Sequence, residues 1–274
     1  MAQSLNDLGP RVASALVMAA LALGAAYVGG HLFTLFWLIA AVAVLWEWQR
    51  MTAIPQPRLA FATGAIALAA AAGFSIMSVP EAAIGVIAAS SLVCAFIVKA
   101  QRGWSAAGVV YAGALLISAC TLRGSVLDGF SSILWLFAVV WGTDVMAYFC
   151  GRAIGGPKLW PRVSPSKTWS GFIGGVTCGA LLGLAVSPIA SQRLPVLIIG
   201  ILTAMISQGG DLLESAIKRH FNVKDSSQLI PGHGGFMDRL DGFIAASVFA
   251  CLVGALHRGP AEAASGLFRW RGGP

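Results

Sequence analysis

Apolar residues fall in runs of membrane-crossing length along almost the whole chain, and polar residues gather at the joints between them. The runs read as Val12–Val28, Leu32–Trp46, Leu59–Ser78, Ala82–Val98, Ala106–Leu122, Ile133–Cys150, Gly171–Pro188, Val196–Leu213 and Phe243–Leu256. A hydrocarbon layer about 30 Å thick takes about 20 apolar residues of helix to cross. The pattern therefore predicts an all-α, polytopic integral membrane protein with about nine transmembrane helices. Short breaks such as Pro55-Gln56-Pro57, Val79-Pro80-Glu81 and Gln101-Arg102-Gly103 separate most runs, while two joints are long and polar: Gly151–Ser170 and the stretch Asp211–Gly242. The first run, preceded by Arg11, has some of the look of a secretory signal core. It is longer than most, lacks a sharp cleavage site and leads at once into the next run, so it is read as the first span. Residues 1–130 then hold about five N-terminal spans, and 131–274 form a C-terminal region carrying nearly all the polar chemistry. No internal repeat is evident, which disfavours an inverted-repeat transporter.

Composition sharpens this picture. Charged residues make up 11% of the 274 and hydrophobic residues 57%, against about a quarter charged in a soluble domain. The net charge of +7 speaks of loop orientation and of anionic headgroups or phosphate substrates; no basic run interleaved with aromatics points to nucleic acid. With the N-terminus cytoplasmic, thirteen basic residues fall inside and five outside (Arg123, Arg193, Arg258, Arg269, Arg271), which puts both long polar joints on the cytoplasmic face of an inner or plasma membrane. The three C-terminal arginines fit this poorly: either the tail is exported regardless or the last run does not cross. Five dispersed cysteines in apolar surroundings and four histidines without ligand spacing give neither a disulfide framework nor a zinc site.

Charge concentrates where the rest of the chain avoids it. Five of the eleven acidic residues lie in Asp211–Gly242, and charges at membrane depth cost several kcal/mol each unless they pair, bind ions or line a wet cavity. Asp211, Ser215 and Lys218 are spaced i, i+4, i+7 and share one helix face, flanked by Glu214 and Arg219. That face suits a divalent cation together with a phosphate, or it is an internally neutralised helix end. Asp238 and Asp241 open the last helix after the backbone-rich Pro231-Gly232-His233-Gly234-Gly235. Glycines and a helix N-terminus attract an anion, and two carboxylates there suit Mg²⁺, which takes one or two protein carboxylates plus phosphate oxygens and water. The alternative is a plain interhelical turn. Ser164, Lys167 and Thr168 open the seventh helix as an anion cradle; alternatively Ser166 or Thr168 is an ordinary N-cap. Asp144, an acid near the end of the sixth apolar helix, is expected to face away from lipid.

Taken together, Ser215-x-x-Lys218-Arg219, Lys224-Asp225, Pro231-Gly232-His233-Gly234-Gly235 and Asp238-Arg239-x-Asp241 resemble the signature of the phosphatidate cytidylyltransferase (CDP-diacylglycerol synthase) family. Asp144-x-x-Ala147-Tyr148 with Gly151-Arg152, and Ser164-Pro165-x-Lys167-Thr168-Trp169-x-Gly171, resemble the same family, which often carries Glu or Gln where this chain has Ser170. The resemblance implies cytidylyl transfer from CTP to phosphatidic acid, with CDP-diacylglycerol and pyrophosphate as products. It implies Mg²⁺ on Asp211, Asp238 and Asp241, with Asp144 a weaker ligand, alongside a second cation such as K⁺. By the same resemblance Lys218, Arg219, Lys224, Asp225, His233 and Arg239 act at the catalytic centre; Ser164, Lys167, Thr168 and Ser215 bind substrate, and the protein is a homodimer. Other classes fit less well. A transporter predicts charges near mid-membrane on several helices. Another Mg²⁺-dependent phospholipid transferase, the CDP-alcohol type, needs an Asp-Gly-x-x-Ala-Arg start, whereas Asp241-Gly242 leads into Phe-Ile-Ala-Ala.

Overall fold

The computed structural model describes residues 8–54, 57–189, 192–229 and 234–270. The elements, in order, are α1 (Leu8–Val28), α2 (Gly30–Met51), α3 (Pro57–Ile76), α4 (Pro80–Ile97), α5 (Arg102–Gly124), α6 (Gly129–Ile154), β1 (Lys158–Trp160), β2 (Ser164–Thr168), α7 (Trp169–Val186), α8 (Arg193–His220), α9 (Met237–Arg258) and the short α10 (Ala263–Phe268). Among the described residues eight helices are long and apolar enough to cross a membrane, and α1 adds a shorter apolar segment, Ser14–Val28. Fold class and span order agree with the hydropathy pattern. Large exposed side chains such as Leu16, Ile39, Ile66, Phe96, Ile173 and Leu252 are the lipid-facing surface that pattern requires.

Differences from the expected boundaries have physical causes. Gly29 and Gly30, both at positive φ, separate α1 from α2 with no polar loop between them. The joint 151–170 is shorter than read from sequence: α6 continues to Ile154, and Ser164–Thr168 forms a strand rather than a helix start, pairing antiparallel with β1 (Lys158↔Thr168, Trp160↔Ser164). The eighth helix runs seven residues past Leu213, through the charged sequence to His220, because its charges pair within the helix and across to β2.

The chain divides into two compact units, residues 1–120 with 220–240, and residues 121–219 with 241–274. In the first, α3 packs on α2 and α4. Trp48 of α2 donates from Nε1 to the Trp104 carbonyl at 2.8 Å, and Trp104 in turn meets the rings of His220 and Phe221.

In the second unit, α6 and α7 pack antiparallel along a row of glycines. A Cβ on Gly171, Gly175 or Gly179 would lie 2.7 Å from the carbonyl oxygen of Ala147, Thr143 or Val139 respectively. Lipid tails provide no hydrophobic drive between helices, so close backbone approach through small residues is what holds such a pair.

The C-terminal tail belongs to this unit as well. Ser125 Oγ accepts from the Ala264 amide at 3.1 Å, and Arg269 Nε pairs with Asp128 Oδ2 at 2.7 Å, a contact that raises the Arg269 pKa above its usual value. The tail therefore sits with the α5–α6 loop, and α9 is a full-length span of 22 residues. Of the two sequence readings, the one in which the last run crosses fits this geometry.

Candidate active site

Helix length exposes the polar ends. At about 1.5 Å per residue, the 28 residues of α8 reach about 42 Å and the 26 of α6 about 39 Å, beyond a hydrocarbon core of about 30 Å. Placed at the charged C-terminal ends, where burying charge in lipid is costliest, the overhang takes in about the last eight residues of α8 and the last six of α6, which leaves Asp211 about 3 Å and Asp144 about 7 Å inside the hydrocarbon boundary.

At these ends the second unit assembles a cluster of carboxylates and lysines. Lys167 Nζ, at the end of β2, lies 2.6 Å from Asp211 Oδ2 of α8. Ser215 Oγ donates to Asp211 Oδ1 at 3.3 Å, so the predicted i, i+4 face exists. Lys218 turns to Glu214 at 2.7 Å, with both side chains largely buried. Asp241 of α9 feels the charges of Asp211, Glu214 and Asp144. The approach of α9 to α8 is again made by glycines. A Cβ on Gly210 would stand 2.7 Å from both the Asp241 carbonyl oxygen and Ala245 Cβ, and one on Gly242 would stand 2.6 Å from Ser207 Oγ.

Asp211 and Glu214 each pair with a lysine, and the charges of Asp241 and Asp144 add to theirs, so carboxylates outnumber ammonium groups in this cluster. All the donors are hard oxygens, and such a set fits a divalent ion of the Mg²⁺ kind. Among the described residues no three His, Cys, Asp or Glu side chains are grouped closely enough to hold an ion by themselves. An ion here would take the rest of its shell from water and phosphate.

Of the expected phosphate cradle, Lys167 faces the cluster and Thr168 does not. Thr168 is the buried N-cap of α7, its Oγ1 accepting from the Gly171 amide at 3.2 Å. Ser170 contacts Thr168 Oγ1 and donates to the Gly155 carbonyl, tying the start of α7 to the end of α6. Ser164 begins β2 opposite Trp160.

The first unit holds the other half of the charged stretch. Asp238, in the first turn of α9, accepts from the amide of Gly235 at 2.8 Å and from the amide and hydroxyl of Ser226, each at 3.1 Å to Oδ2. Lys224, Asp225 and Arg239 are exposed, as is Arg219 of the second unit. His233 lies outside the described residues.

A model of the cytidylyltransferase family matches residues 9–257, nearly the whole chain. The chain belongs to that family. Among curated relatives it is 42% identical to a phosphatidate cytidylyltransferase of Brucella melitensis over 264 residues, covering 93% of this chain and 96% of the relative. It is 41% identical to the enzyme of that name from Brucella abortus, with the same coverage. A Staphylococcus saprophyticus phosphatidate cytidylyltransferase is 47% identical over 120 residues, or 43% of this chain and 46% of that protein. The match to the family is therefore far wider than the signature alone.

One family-member residue escaped the sequence reading. Glu47 of α2 is completely buried, and its carboxylate accepts from the Phe236 amide (2.7 Å), the Met237 amide (2.6 Å), Ser227 Oγ (2.6 Å) and Ser226 Oγ (3.1 Å). A signal was present: an acid inside an apolar helix, in Trp46-Glu47-Trp48, is the feature that drew attention to Asp144. The apolar run Leu32–Trp46 stops one residue short of Glu47. Glu214, seen in sequence only as a flank, likewise proves to be buried at the cluster.

Proposed function

We propose that this chain transfers the cytidylyl group of CTP to phosphatidic acid, giving CDP-diacylglycerol and pyrophosphate for phospholipid biosynthesis. The observation that carries it is the meeting of Lys167 with Asp211 beside Asp241 at the ends of helices longer than the membrane is thick. A lipid phosphate resides at headgroup depth and a nucleoside triphosphate arrives from water, so their common site belongs at such helix ends. The names of the Brucella relatives and the family match support the same substrates. The thirteen-to-five distribution of basic residues supports a cytoplasmic site.

An oxygen of the lipid phosphate attacks the α-phosphorus of CTP; the bond from that phosphorus to the bridging oxygen breaks, and pyrophosphate leaves. Both reactants are anions, so catalysis is mainly positioning and neutralisation of charge. A bound Mg²⁺ would supply Lewis-acid neutralisation of phosphate oxygens, held by Asp211 and Asp241, with Asp238 and Asp144 as further acidic candidates. Lys167 and Lys218 contribute ammonium charge at the cluster, and Ser215 orients the Asp211 carboxylate. The exposed Arg219, Lys224 and Arg239 are suited to receive an anionic nucleotide, arginine by bidentate contact. The nucleophile is already ionised, so a strong general base is unnecessary.

The test is incubation of purified protein with labelled CTP, Mg²⁺ and phosphatidic acid. Label is expected in a lipid-extractable cytidine product, with one pyrophosphate released per product. Wild-type protein that leaves all label in water, at any Mg²⁺ concentration, would refute the reading.

A further inference from the structure

Glu47 is a completely buried carboxylate of the first unit with a hydrogen-bond partner on every side. Oε1 accepts from the Ser227 hydroxyl and the Phe236 amide and Oε2 from the Met237 amide, while the single hydroxyl hydrogen of Ser226 is shared between Oε2 and Asp238 Oδ2, each 3.1 Å away. The serines precede the Pro231–Gly235 segment and the amides follow it. A single side chain on α2 thus ties together the two ends of that segment, almost 180 residues away in sequence. The second amide belongs to the first residue of α9, one position before Asp238, and Ser226 is also a partner of Asp238. Gly235 leaves no room for a side chain, since a Cβ there would collide with Ser226 Oγ and lie 2.9 Å from both Glu47 oxygens. Ser226 and Ser227 also line an open cleft with Trp46 and Arg50.

We propose that Glu47 is a positioning residue for the transferase reaction, a clasp that holds both ends of the 226–237 segment and thereby sets the start of α9 and the Asp238 carboxylate. This rests on the reading of the chain as a cytidylyltransferase acting on phosphatidic acid. The chemistry requires a carboxylate. Glutamine would present an NH₂ group to a backbone N–H that now donates, and alanine would take the acceptor from two amides and the Ser227 hydroxyl, leaving Ser226 with Asp238 alone.

The experiment compares wild type with Glu47→Gln in detergent. Three readouts are taken: CDP-diacylglycerol formation, the Mg²⁺ concentration for half-maximal rate, and the rate of limited proteolysis between residues 226 and 237. The variant is expected to lose turnover by about tenfold or more, to need more Mg²⁺, and to be cut faster in that segment. A mere loss of folded protein lowers the rate without moving the Mg²⁺ requirement. Wild-type Mg²⁺ dependence together with wild-type cleavage overturns the proposal. Proteolysis needs no activity, so it tests the clasp even if wild type makes no CDP-diacylglycerol, which would sink only the functional reading. Should Glu47→Gln fail to insert, Ser227→Ala decides, since it removes one hydroxyl and keeps the carboxylate. Faster cleavage with a raised Mg²⁺ requirement supports the clasp, and wild-type values overturn it.

Discussion

Gly175 offers the sharpest test of how this chain holds its site together. It lies midway along the α6–α7 contact, where an added Cβ would stand 2.7 Å from the Thr143 carbonyl oxygen, 2.9 Å from Ala147 Cβ and 3.0 Å from Gln208 Nε2. Ordinary contact for a carbon begins at about 3.5 Å, so Gly175→Ala asks α6 and α7 to part by roughly 0.7 Å. Two of the three obstacles are a backbone carbonyl and a Cβ, which cannot swing aside as the tip of a flexible side chain can. Overpacking of this kind costs about 1–3 kcal/mol, or a fall of about 2–12 °C in unfolding midpoint for a chain of this size.

Activity should fall further than stability alone implies. Helix α7 begins two residues after Lys167, whose ammonium sits 2.6 Å from Asp211, and misplacing a catalytic group by about 1 Å lowers a rate by up to about 100-fold. Gly85→Ala in α4 is the control: a Cβ there meets nothing within 4 Å, and alanine improves helix propensity by up to about 1 kcal/mol. Both variants would be purified in detergent, unfolded thermally under tryptophan fluorescence, and assayed for transfer from labelled CTP. If Gly175→Ala unfolds no earlier than Gly85→Ala and turns over like wild type, the glycine row does not set the geometry of the site.

Asp211→Asn and Lys167→Met should each lower CDP-diacylglycerol formation by about 100-fold, and the double variant should lose less than the product of the two, with a coupling of about 0.5–3 kcal/mol. Full additivity in that cycle would show that the 2.6 Å pair is incidental to turnover. Removal of divalent ions with EDTA is expected to stop the reaction, and Mg²⁺ to restore it; turnover surviving exhaustive chelation would remove the metal from the mechanism. Asp128 sits at φ 62° and pairs with Arg269. Asp128→Asn keeps a residue that tolerates that backbone and should cost about 1 kcal/mol or less, while Asp128→Ala should cost more. Equal unfolding midpoints for the two variants would reject the left-handed contribution.

Hydropathy made the helices legible because crossing a bilayer leaves little choice of length or composition. Charge that stood out against that background gave a local arrangement the structure repeats, Asp211 with Ser215 on one face of α8. What sequence could not reveal was which charge pairs with which. Lys218 shares a face with Asp211, yet its partner is Glu214, and Asp211 takes Lys167 from a strand that forms some forty residues earlier. That choice depends on tertiary approach, which no spacing along one helix encodes. The small hairpin was hidden for a related reason, because five residues rich in Ser, Pro and Thr read as well as a helix start as they do as a strand.

Glycines explain why these charges can meet at all. Bringing carboxylates on separate helices together requires backbones closer than most side chains permit, and in lipid the approach has to be made by shape. Gly210 and Gly242 do this for α8 and α9 next to Asp211 and Asp241, and Gly171, Gly175 and Gly179 do it for α6 and α7 below Lys167. Gly254 and Gly266 repeat the device where α10 meets α9. Each carboxylate of the cluster therefore stands within about one helical turn of a backbone contact, and Lys167 lies on the strand leading into one. Like charge on neighbouring carboxylates opposes the approach of the helices, the glycine contacts and the two lysine pairs favour it, and a bound cation would act in the same direction as those pairs. It follows that widening a glycine contact and removing the cation should loosen the same helix ends, whereas neutralising Asp241 should tighten them.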